Sequence, residues 1–257
     1  PNGSLAELLQ KAQNGLVKGT YDNTNRQIIL IGIARGMMHL HKNQVIHRDL
    51  KPGNILLDDN LFPLITDFGL SKLYEKGRTN SQSQQCGTSM YMAPEVIEGT
   101  KYNGKADVYS FGILMYEVVT DCVPYPLLEK GKLSLFQFNQ KVVNENYRPK
   151  FDFPIKKSIQ KLIERCWSKN PTERPTFEEL FKKLAYNIED SVGDDIYVSK
   201  DLDPSKNDDE DSDDEENKYY LDGVDVDEVV LYADDIDEAI AAPLDLECTA
   251  KETNVKE

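Results

Sequence analysis

Side chains suited to phosphoryl transfer are concentrated in three short motifs within 49 residues of the chain. The first, His-Arg-Asp-Leu-Lys-Pro-Gly-Asn at residues 47–54, contains Asp49, Lys51 and Asn54, and the second, Asp-Phe-Gly, begins at Asp67. A carboxylate can accept the proton of a hydroxyl, and a lysine can neutralise charge on a phosphoryl group. Carboxamide and carboxylate oxygens are ligands that Mg²⁺ prefers. With Ala-Pro-Glu at residues 93–95, the set predicts a site that brings together a hydroxyl, a phosphate and a metal ion.

Each of these residues also has an ordinary structural interpretation. Asp49 could cap a turn, Lys51 could be a solvated base, and Asn54 could be a turn residue. Asp67 could begin a tight turn before Gly69. The order and spacing of all three motifs favour the functional interpretation, because unrelated turns would not produce the three signatures together.

Together the motifs resemble the catalytic loop, the metal-binding turn and the end of the activation segment of eukaryotic protein kinases. The resemblance covers residues 1 to about 186 and corresponds to the C-terminal lobe. It implies a mainly α-helical fold, the helical lobe of the α+β kinase fold, with short β-strands near the catalytic loop. The implied reaction transfers the γ-phosphate of ATP to a protein hydroxyl. It assigns proton acceptance to Asp49, phosphoryl stabilisation to Lys51 and Mg²⁺ binding to Asn54 and Asp67.

The resemblance also assigns scaffold roles, to His47, Phe68, Glu95, Asp107 and Arg174. The histidine ring packs near the phenylalanine of the second motif, and Asp107 braces the backbone of the catalytic loop. Glu95 and Arg174 form a buried ion pair. Removing one partner of such a pair would leave a buried charge uncompensated.

Arg48 directly precedes the expected proton acceptor, as in kinases that are switched by phosphorylation of the activation segment. A phosphate carries a charge of roughly −1.5 to −2, so it would pair with a poorly compensated guanidinium and order the segment. The available hydroxyls are Thr79, Ser81, Ser83, Thr88 and Ser89, of which the first three are the better candidates. Thr88 resembles the threonine that contacts the catalytic loop.

Two features indicate the substrate class by resemblance. The stretch Lys51-Pro52-Gly53-Asn54 and the pair Gly87-Thr88 resemble kinases that phosphorylate serine and threonine in proteins. Residues 107–112, 166–167 and 170–175 resemble the tyrosine-kinase-like group, whose members mostly modify serine and threonine.

The sequence before Asn54 contains no glycine-rich phosphate loop, strand lysine or helix glutamate, which a kinase N-terminal lobe would supply. Residues 1–5 resemble the hinge end, with Ser4 near the ATP ribose, and Leu56 would form the floor beneath adenine. The first hypothesis is therefore an active Ser/Thr kinase whose N-terminal lobe lies upstream of this chain. The alternative is a catalytically silent lobe that acts as a binding module or pseudokinase.

Periodicity predicts the elements that position these motifs. Apolar residues at three- and four-residue steps predict a helix over 26–43, with Asn23 or Thr24 as its cap. Residues 55–57 and 63–66 are predicted strands around an Asp-Asp-Asn turn, and residues 71–94 a loop. Helices are expected over 105–120, 133–143, 155–167 and 177–186.

Charge divides the 257 residues into two parts. The whole chain carries a net charge of −15, but residues 188–257 contain 26 acids and 5 lysines, so residues 1–187 carry a net +6. We expect a folded domain over 1–187 and an acidic, mostly disordered tail over 188–257, because the run at 207–216 cannot bury enough apolar surface to fold. The apolar residues interleaved with acids at 224–236 could form a short helix on a partner, although solvated coil is favoured.

Composition excludes several classes of protein. No apolar run is long enough to span a membrane, and residues 1–4 do not resemble a signal peptide, so we expect neither feature. We also expect no nucleic-acid partner. The four cysteines lie 36, 44 and 82 positions apart, which fits neither a zinc site nor a small disulfide framework. Reduced thiols in the cytoplasm are the expectation.

Overall fold

The computed structural model describes residues 3–17, 21–67, 72–73, 88–152, 155–186, 220–221 and 224–225. Side chains are described in these ranges except at 72–73, 88, 220–221 and 224–225. The helices in these ranges are α1 (Leu5–Gln13), α2 (Asn23–Lys42), α3 (Pro94–Ile97), α4 (Lys105–Thr120), α5 (Pro126–Glu129), α6 (Leu135–Asn144), α7 (Lys157–Cys166) and α8 (Phe177–Tyr186). Short 3-10 helices span Pro52–Asn54, Thr88–Tyr91 and Pro171–Glu173.

The strands are short and form antiparallel pairs. β1 (Val45–Ile46) pairs with β4 (Lys72–Leu73), and β2 (Ile55–Leu57) pairs with β3 (Pro63–Ile65). β5 (Tyr220–Leu221) pairs with β6 (Val224–Asp225) in the acidic tail. The predicted mainly α-helical class, with short strands around the first motif, is confirmed.

Helix α4 is the centre of the hydrophobic core. Its residues 106–118 are all buried, and it packs along α7, while α2 packs along α8. At Gly112 of α4 the packing is tight, because an added Cβ would lie 2.6 Å from the Cβ of Cys166, the last residue of α7. The near-continuous apolar run in the sequence therefore reflects a helix that is surrounded on most sides.

The predicted helix boundaries agree closely at α4 and α8 and differ elsewhere by a few residues. The expected cap of α2, Asn23 or Thr24, is wrong. The N-cap is Asp22, whose side chain accepts a hydrogen bond from the backbone N–H of Asn25, while the Asn25 side chain accepts one from the Asp22 N–H. This reciprocal arrangement satisfies two backbone donors, and the helix begins at Asn23, three residues before the predicted start.

Only four residues beyond Tyr186 are described, and all four lie in the β5–β6 pair. Val224, expected in a coil or a partner-induced helix, is therefore in a strand. The acidic run at 207–216 lies outside the described residues. Among the residues that are described, no helix is long and apolar enough to cross a membrane.

Candidate active site

The first motif lies between two short strands that fix its ends. β1 ends at Ile46, and the 3-10 helix Pro52–Asn54 leads directly into β2. β2 pairs with β3 so that Ile55 lies opposite Ile65. This register places Asn54 beside Thr66, whose N–H and hydroxyl both donate to the Asn54 carbonyl, at 2.9 Å and 3.2 Å. The end of the first motif and the start of the second therefore meet, although they are 12 residues apart in the sequence.

The carboxylate of Asp49 is held by two donors on the same oxygen. Lys51 Nζ lies 2.6 Å from Asp49 Oδ2, and Asn54 Nδ2 lies 3.0 Å from it and 2.8 Å from the Asp49 carbonyl. Asp49 is 8% exposed, and no described residue donates to its Oδ1. One oxygen therefore fixes the orientation of the side chain, and the other remains available to accept a hydrogen bond from a hydroxyl.

The donor set at Asn54 and Asp67 fits a magnesium ion. Both contacts of Asn54 Nδ2 are to acceptors, so the amide nitrogen must face Asp49 and the Oδ1 atom is directed elsewhere. Asp67 follows Thr66 directly, is exposed and has a left-handed backbone with φ of 64°. A carboxylate and a carboxamide oxygen on adjoining backbone segments are hard ligands of the kind that Mg²⁺ binds.

Asp107 of α4 holds the backbone of the first motif by hydrogen bonds. Its carboxylate accepts hydrogen bonds from the backbone N–H groups of His47 (2.9 Å) and Arg48 (2.8 Å), and it lies 2.9 Å from His41 Nε2. Arg48 has a φ of 73°, a conformation that is strained for a residue with a side chain. Two charge-assisted hydrogen bonds to a buried carboxylate keep the loop in this conformation.

His47 is a fully buried side chain that connects both motifs. Its Nε2 lies 3.0 Å from the carbonyl of Thr66, and its Nδ1 accepts a hydrogen bond from the N–H of Asp49 at 3.3 Å. Because a carbonyl can only accept, Nε2 carries the proton and Nδ1 the lone pair. The ring therefore links the backbone beside Asp49 to the backbone beside Asp67.

The guanidinium of Arg48 has incomplete compensation among the described residues. Its Nε is buried without a hydrogen-bond partner, and the group lies 5.7 Å from the ring centroid of Tyr102. Four of the sequence-predicted site residues lie outside the described residues: Phe68, Thr79, Ser81 and Ser83. The backbone of Thr88 opens the 3-10 helix Thr88–Tyr91, and Ser89 is 1% exposed.

Glu95 and Arg174 form a bidentate ion pair between the third motif and the segment before α8. Arg174 Nη1 lies 2.6 Å from Glu95 Oε1, and Nη2 lies 2.9 Å from Oε2. The same guanidinium donates to the carbonyls of Ser168 and Lys105, both at 2.9 Å. Arg174 is fully buried, so the pair anchors the third motif to the core.

Ser4 and Leu56 lie opposite each other. They form an isolated antiparallel bridge, and the N–H of Leu57 donates to the carbonyl of Gly3 at 2.9 Å. Ser4 is the N-cap of α1, and its hydroxyl accepts from the Glu7 N–H at 3.3 Å. Leu56 is 42% exposed, with Leu64 of β3, which is 40% exposed, as its cross-strand partner. The structure thus presents an apolar surface beside the first residues of the chain.

One pair beside the site was not found from the sequence. Tyr91 donates its hydroxyl to Glu117 Oε2 at 2.6 Å, and both groups border a cavity of about 470 Å³ that Lys51 and Gly53 also line. Burial raises the pKa of Glu117 to about 7, against the hydrogen bonds from Tyr91 and Gln13 that lower it. The available signal was a single carboxylate inside the apolar run of α4, and only the fold shows that it faces the site.

Known proteins with similar sequences match the part of the chain that contains these motifs. The chain matches the protein kinase domain family over residues 1–184. It belongs to the protein kinase domain family. It is 35% identical over 184 residues to the serine/threonine-protein kinase STY46 of Arabidopsis thaliana. The aligned residues make up 72% of this chain and 30% of that protein. It is 37% identical over 168 residues to the dual specificity protein kinase shkA of Dictyostelium discoideum, an alignment that covers 64% of this chain and 31% of that kinase. A second Dictyostelium kinase, the dual specificity protein kinase shkC, is 37% identical over 201 residues, which cover 76% of this chain and 38% of that kinase.

This kinase-domain chain thus spans about a third of the length of these curated relatives. Their names include both serine/threonine and dual-specificity kinases. Membership of the family implies in general the use of ATP, Mg²⁺ and protein substrates.

Proposed function

We propose that this chain is the catalytic C-terminal lobe of a protein kinase that transfers the γ-phosphate of ATP to serine and threonine. The observation that carries the proposal is the environment of Asp49. Lys51 and Asn54 both donate to its Oδ2, while Oδ1 accepts from no described residue. A lobe used only for binding has no need of a carboxylate that is fixed by one oxygen and open at the other.

In this proposal each side chain has one task. Asp49 Oδ1 accepts the hydrogen bond of the substrate hydroxyl, which aligns the nucleophile, and takes its proton late in the reaction. Lys51 supplies positive charge at the same place, because its ammonium lies 2.6 Å from the carboxylate. Asn54 and Asp67 would hold Mg²⁺, which would neutralise negative charge on the phosphates of ATP, the donor of the phosphoryl group. Asp107 and His47 preserve this geometry through their hydrogen bonds to the backbone of the two motifs.

The nucleotide would lie on the surface formed by Ser4 and Leu56. The exposed leucine offers an apolar floor for adenine, and the serine beside it offers a polar group for the ribose. The glycine-rich loop, strand lysine and helix glutamate that close this site in the family are not in the sequence. We therefore place them in an N-terminal lobe outside these 257 residues.

The proposed preference for serine and threonine rests on Lys51-Pro52-Gly53-Asn54 and on Gly87-Thr88. The proposed assignment to the tyrosine-kinase-like group rests on residues 107–112, 166–167 and 170–175. Regulation by phosphorylation rests on Arg48, whose buried Nε lacks a described partner. A phosphate on Thr79, Ser81 or Ser83 would supply the missing acceptor. The thiols of Cys122 and Cys166 are unpaired, which supports a reducing, cytoplasmic location.

The test measures transfer of labelled phosphate to peptide pools that contain serine, threonine or tyrosine as the only hydroxyl. The 257-residue chain is compared with the same chain preceded by the N-terminal lobe of a relative such as STY46. We expect slow or no transfer by the chain alone, and transfer to serine and threonine by the two-lobed protein. Asp49→Asn should lower that rate by at least roughly 10²-fold, since it removes the proton acceptor. Asp152→Asn, an exposed aspartate outside the site, is the matched control.

The outcomes separate the parts of the proposal. Transfer that survives Asp49→Asn contradicts the role of this residue, and equal rates on tyrosine contradict the substrate class. Robust transfer by the 257 residues alone contradicts the need for a second lobe. If neither protein transfers phosphate although both are folded, the binding-module alternative is favoured.

A further inference from the structure

Helix α7 carries a row of basic side chains on its exposed face. Lys157, Lys161 and Arg165 recur every four residues and are all exposed, and Lys169 follows the end of the helix. Side chains at this spacing lie one above another on the helix surface. The opposite face, Ile159, Leu162, Ile163 and Cys166, is buried. These four bases are called the basic row below.

No member of the basic row forms an ion pair with a described residue. The nearby carboxylates are bound to neutral donors instead: Glu164 accepts from Gln160 Nε2 at 2.8 Å, and Glu173 from Ser168 Oγ. Glu179 of α8 is hydrogen-bonded to Thr176, although the charge of Arg165 contributes to lowering its pKa. Like charges at four-residue steps destabilise a helix, so the row costs stability unless an anionic group binds it.

The row borders a groove. A surface cavity of about 860 Å³ is lined by the bases Lys161, Arg165 and Lys169 and by two carboxylates, Glu164 and Glu173, together with Trp167 and three neutral polar residues. Residues 150–169 contain six bases and two acids, so two thirds of the net +6 of residues 1–187 lies in this segment. In the groove three bases outnumber two carboxylates that already accept hydrogen bonds from neutral donors, so it suits an extended acidic peptide.

We infer that the occupant is the chain's own acidic run at 207–216. This run holds eight carboxylates and no base, so its charge is complementary to the basic row. Twenty residues separate it from Tyr186, the end of α8. A chain of that length spans about 25 Å, and a body of this size has a radius of gyration of about 16 Å, so the run can reach the groove. Tethering gives it a high effective concentration over any acidic partner in solution.

The test uses zero-length carbodiimide cross-linking of the whole 257-residue chain, which joins lysine amines to carboxylates in direct contact. Mass spectrometry compares cross-links from residues 207–216 to Lys157, Lys161 and Lys169 with those to the exposed Lys101, Lys130 and Lys132. We expect the row lysines to exceed the control lysines by about threefold at 50 mM salt, and the excess to vanish at 0.5 M, where exposed charges are screened. Equal labelling of both sets would overturn the inference.

Two further measurements keep the result specific. Mixing ¹⁵N-labelled and unlabelled chains distinguishes contacts within one chain from contacts between chains, and cross-links found only between chains would exclude the intramolecular arrangement. The radius of gyration by X-ray scattering should rise with salt for the wild type but already be high at low salt for K157E/K161E/K169E. The matched triple variant K101E/K130E/K132E should behave as wild type. If both triple variants expand equally, the effect is one of net charge and the basic row has no special role.

Discussion

The ion pair between Glu95 and Arg174 gives the sharpest stability prediction. Glu95→Gln keeps the shape of the side chain but removes its charge, and it leaves the Arg174 guanidinium fully buried without a counter-charge. The two short contacts, 2.6 Å and 2.9 Å, would both be weakened. Breaking a buried pair from one side costs about 3–5 kcal/mol. This is a large fraction of the roughly 5–15 kcal/mol that stabilises an ordinary domain.

The assay is urea and thermal unfolding of the whole chain, followed by circular dichroism. For a domain of this size, each 1 kcal/mol lowers the melting temperature by about 2–4 °C, so we expect a fall of roughly 10 °C for Glu95→Gln. Lys182→Ala, which removes the exposed pair with Glu178, is the control and should leave the midpoint unchanged.

A double variant tests the reason for the loss. Glu95→Gln combined with Arg174→Met removes the buried charge together with its partner, and it should be more stable than Glu95→Gln alone. The reasoning is refuted if Glu95→Gln costs no more than the control, or if the double variant is the less stable of the two.

Three other substitutions test the packing around the site. Because burial raises the pKa of Glu117 from 4.5 to about 7, the folded protein binds more protons than the unfolded one between these values, and its stability falls as the pH rises through this window. Glu117→Gln should remove this dependence, gain about 2 kcal/mol relative to wild type at pH 8, and keep the Tyr91 hydrogen bond, as measured by urea unfolding from pH 5 to 8. Asp22→Ala should cost about 1 kcal/mol by removing the side-chain cap of α2, measured in the same assay at pH 7. Gly112→Ala should cost about 1–3 kcal/mol, seen in thermal unfolding, because the new methyl group meets the Cβ of Cys166.

The Glu117 and Gly112 substitutions each have a control within the chain. Glu98→Gln, at an exposed carboxylate, should keep the wild-type pH dependence. Gly53→Ala, where the nearest atom to an added Cβ is 3.9 Å away, should cost less than Gly112→Ala. A pH profile unchanged by Glu117→Gln would contradict the effect of burial on this carboxyl. A Gly112→Ala protein as stable as wild type would contradict the tight contact between Gly112 and Cys166. An Asp22→Ala protein of undiminished stability would show that the cap contributes nothing.

Much of the architecture follows from local patterns in the chain. The period of apolar residues predicts α4 and α8 closely, because a helix that packs on a core repeats its apolar positions in step with its own geometry. The antiparallel strands around Asp58 and Asp59 follow from short apolar runs and a turn signal. The cap of α2 was missed because four polar residues in a row, Asp22 to Asn25, all suit a cap, and only the three-dimensional hydrogen bonds select one.

Residue type and spacing determined which chemistry the chain is equipped for, since Asp49, Lys51 and Asn54 are close in sequence and must be close in space. Tertiary structure decided what no local pattern contains. It placed Asp107, from a helix 58 residues further on, beneath the catalytic loop, and it brought Thr66 against Asn54. It also turned Glu117 towards Tyr91, and it left the bases of α7 without an acidic partner among the described residues. The physical reason is that hydrogen bonds, burial and charge compensation depend on distances between segments, and the fold as a whole sets those distances.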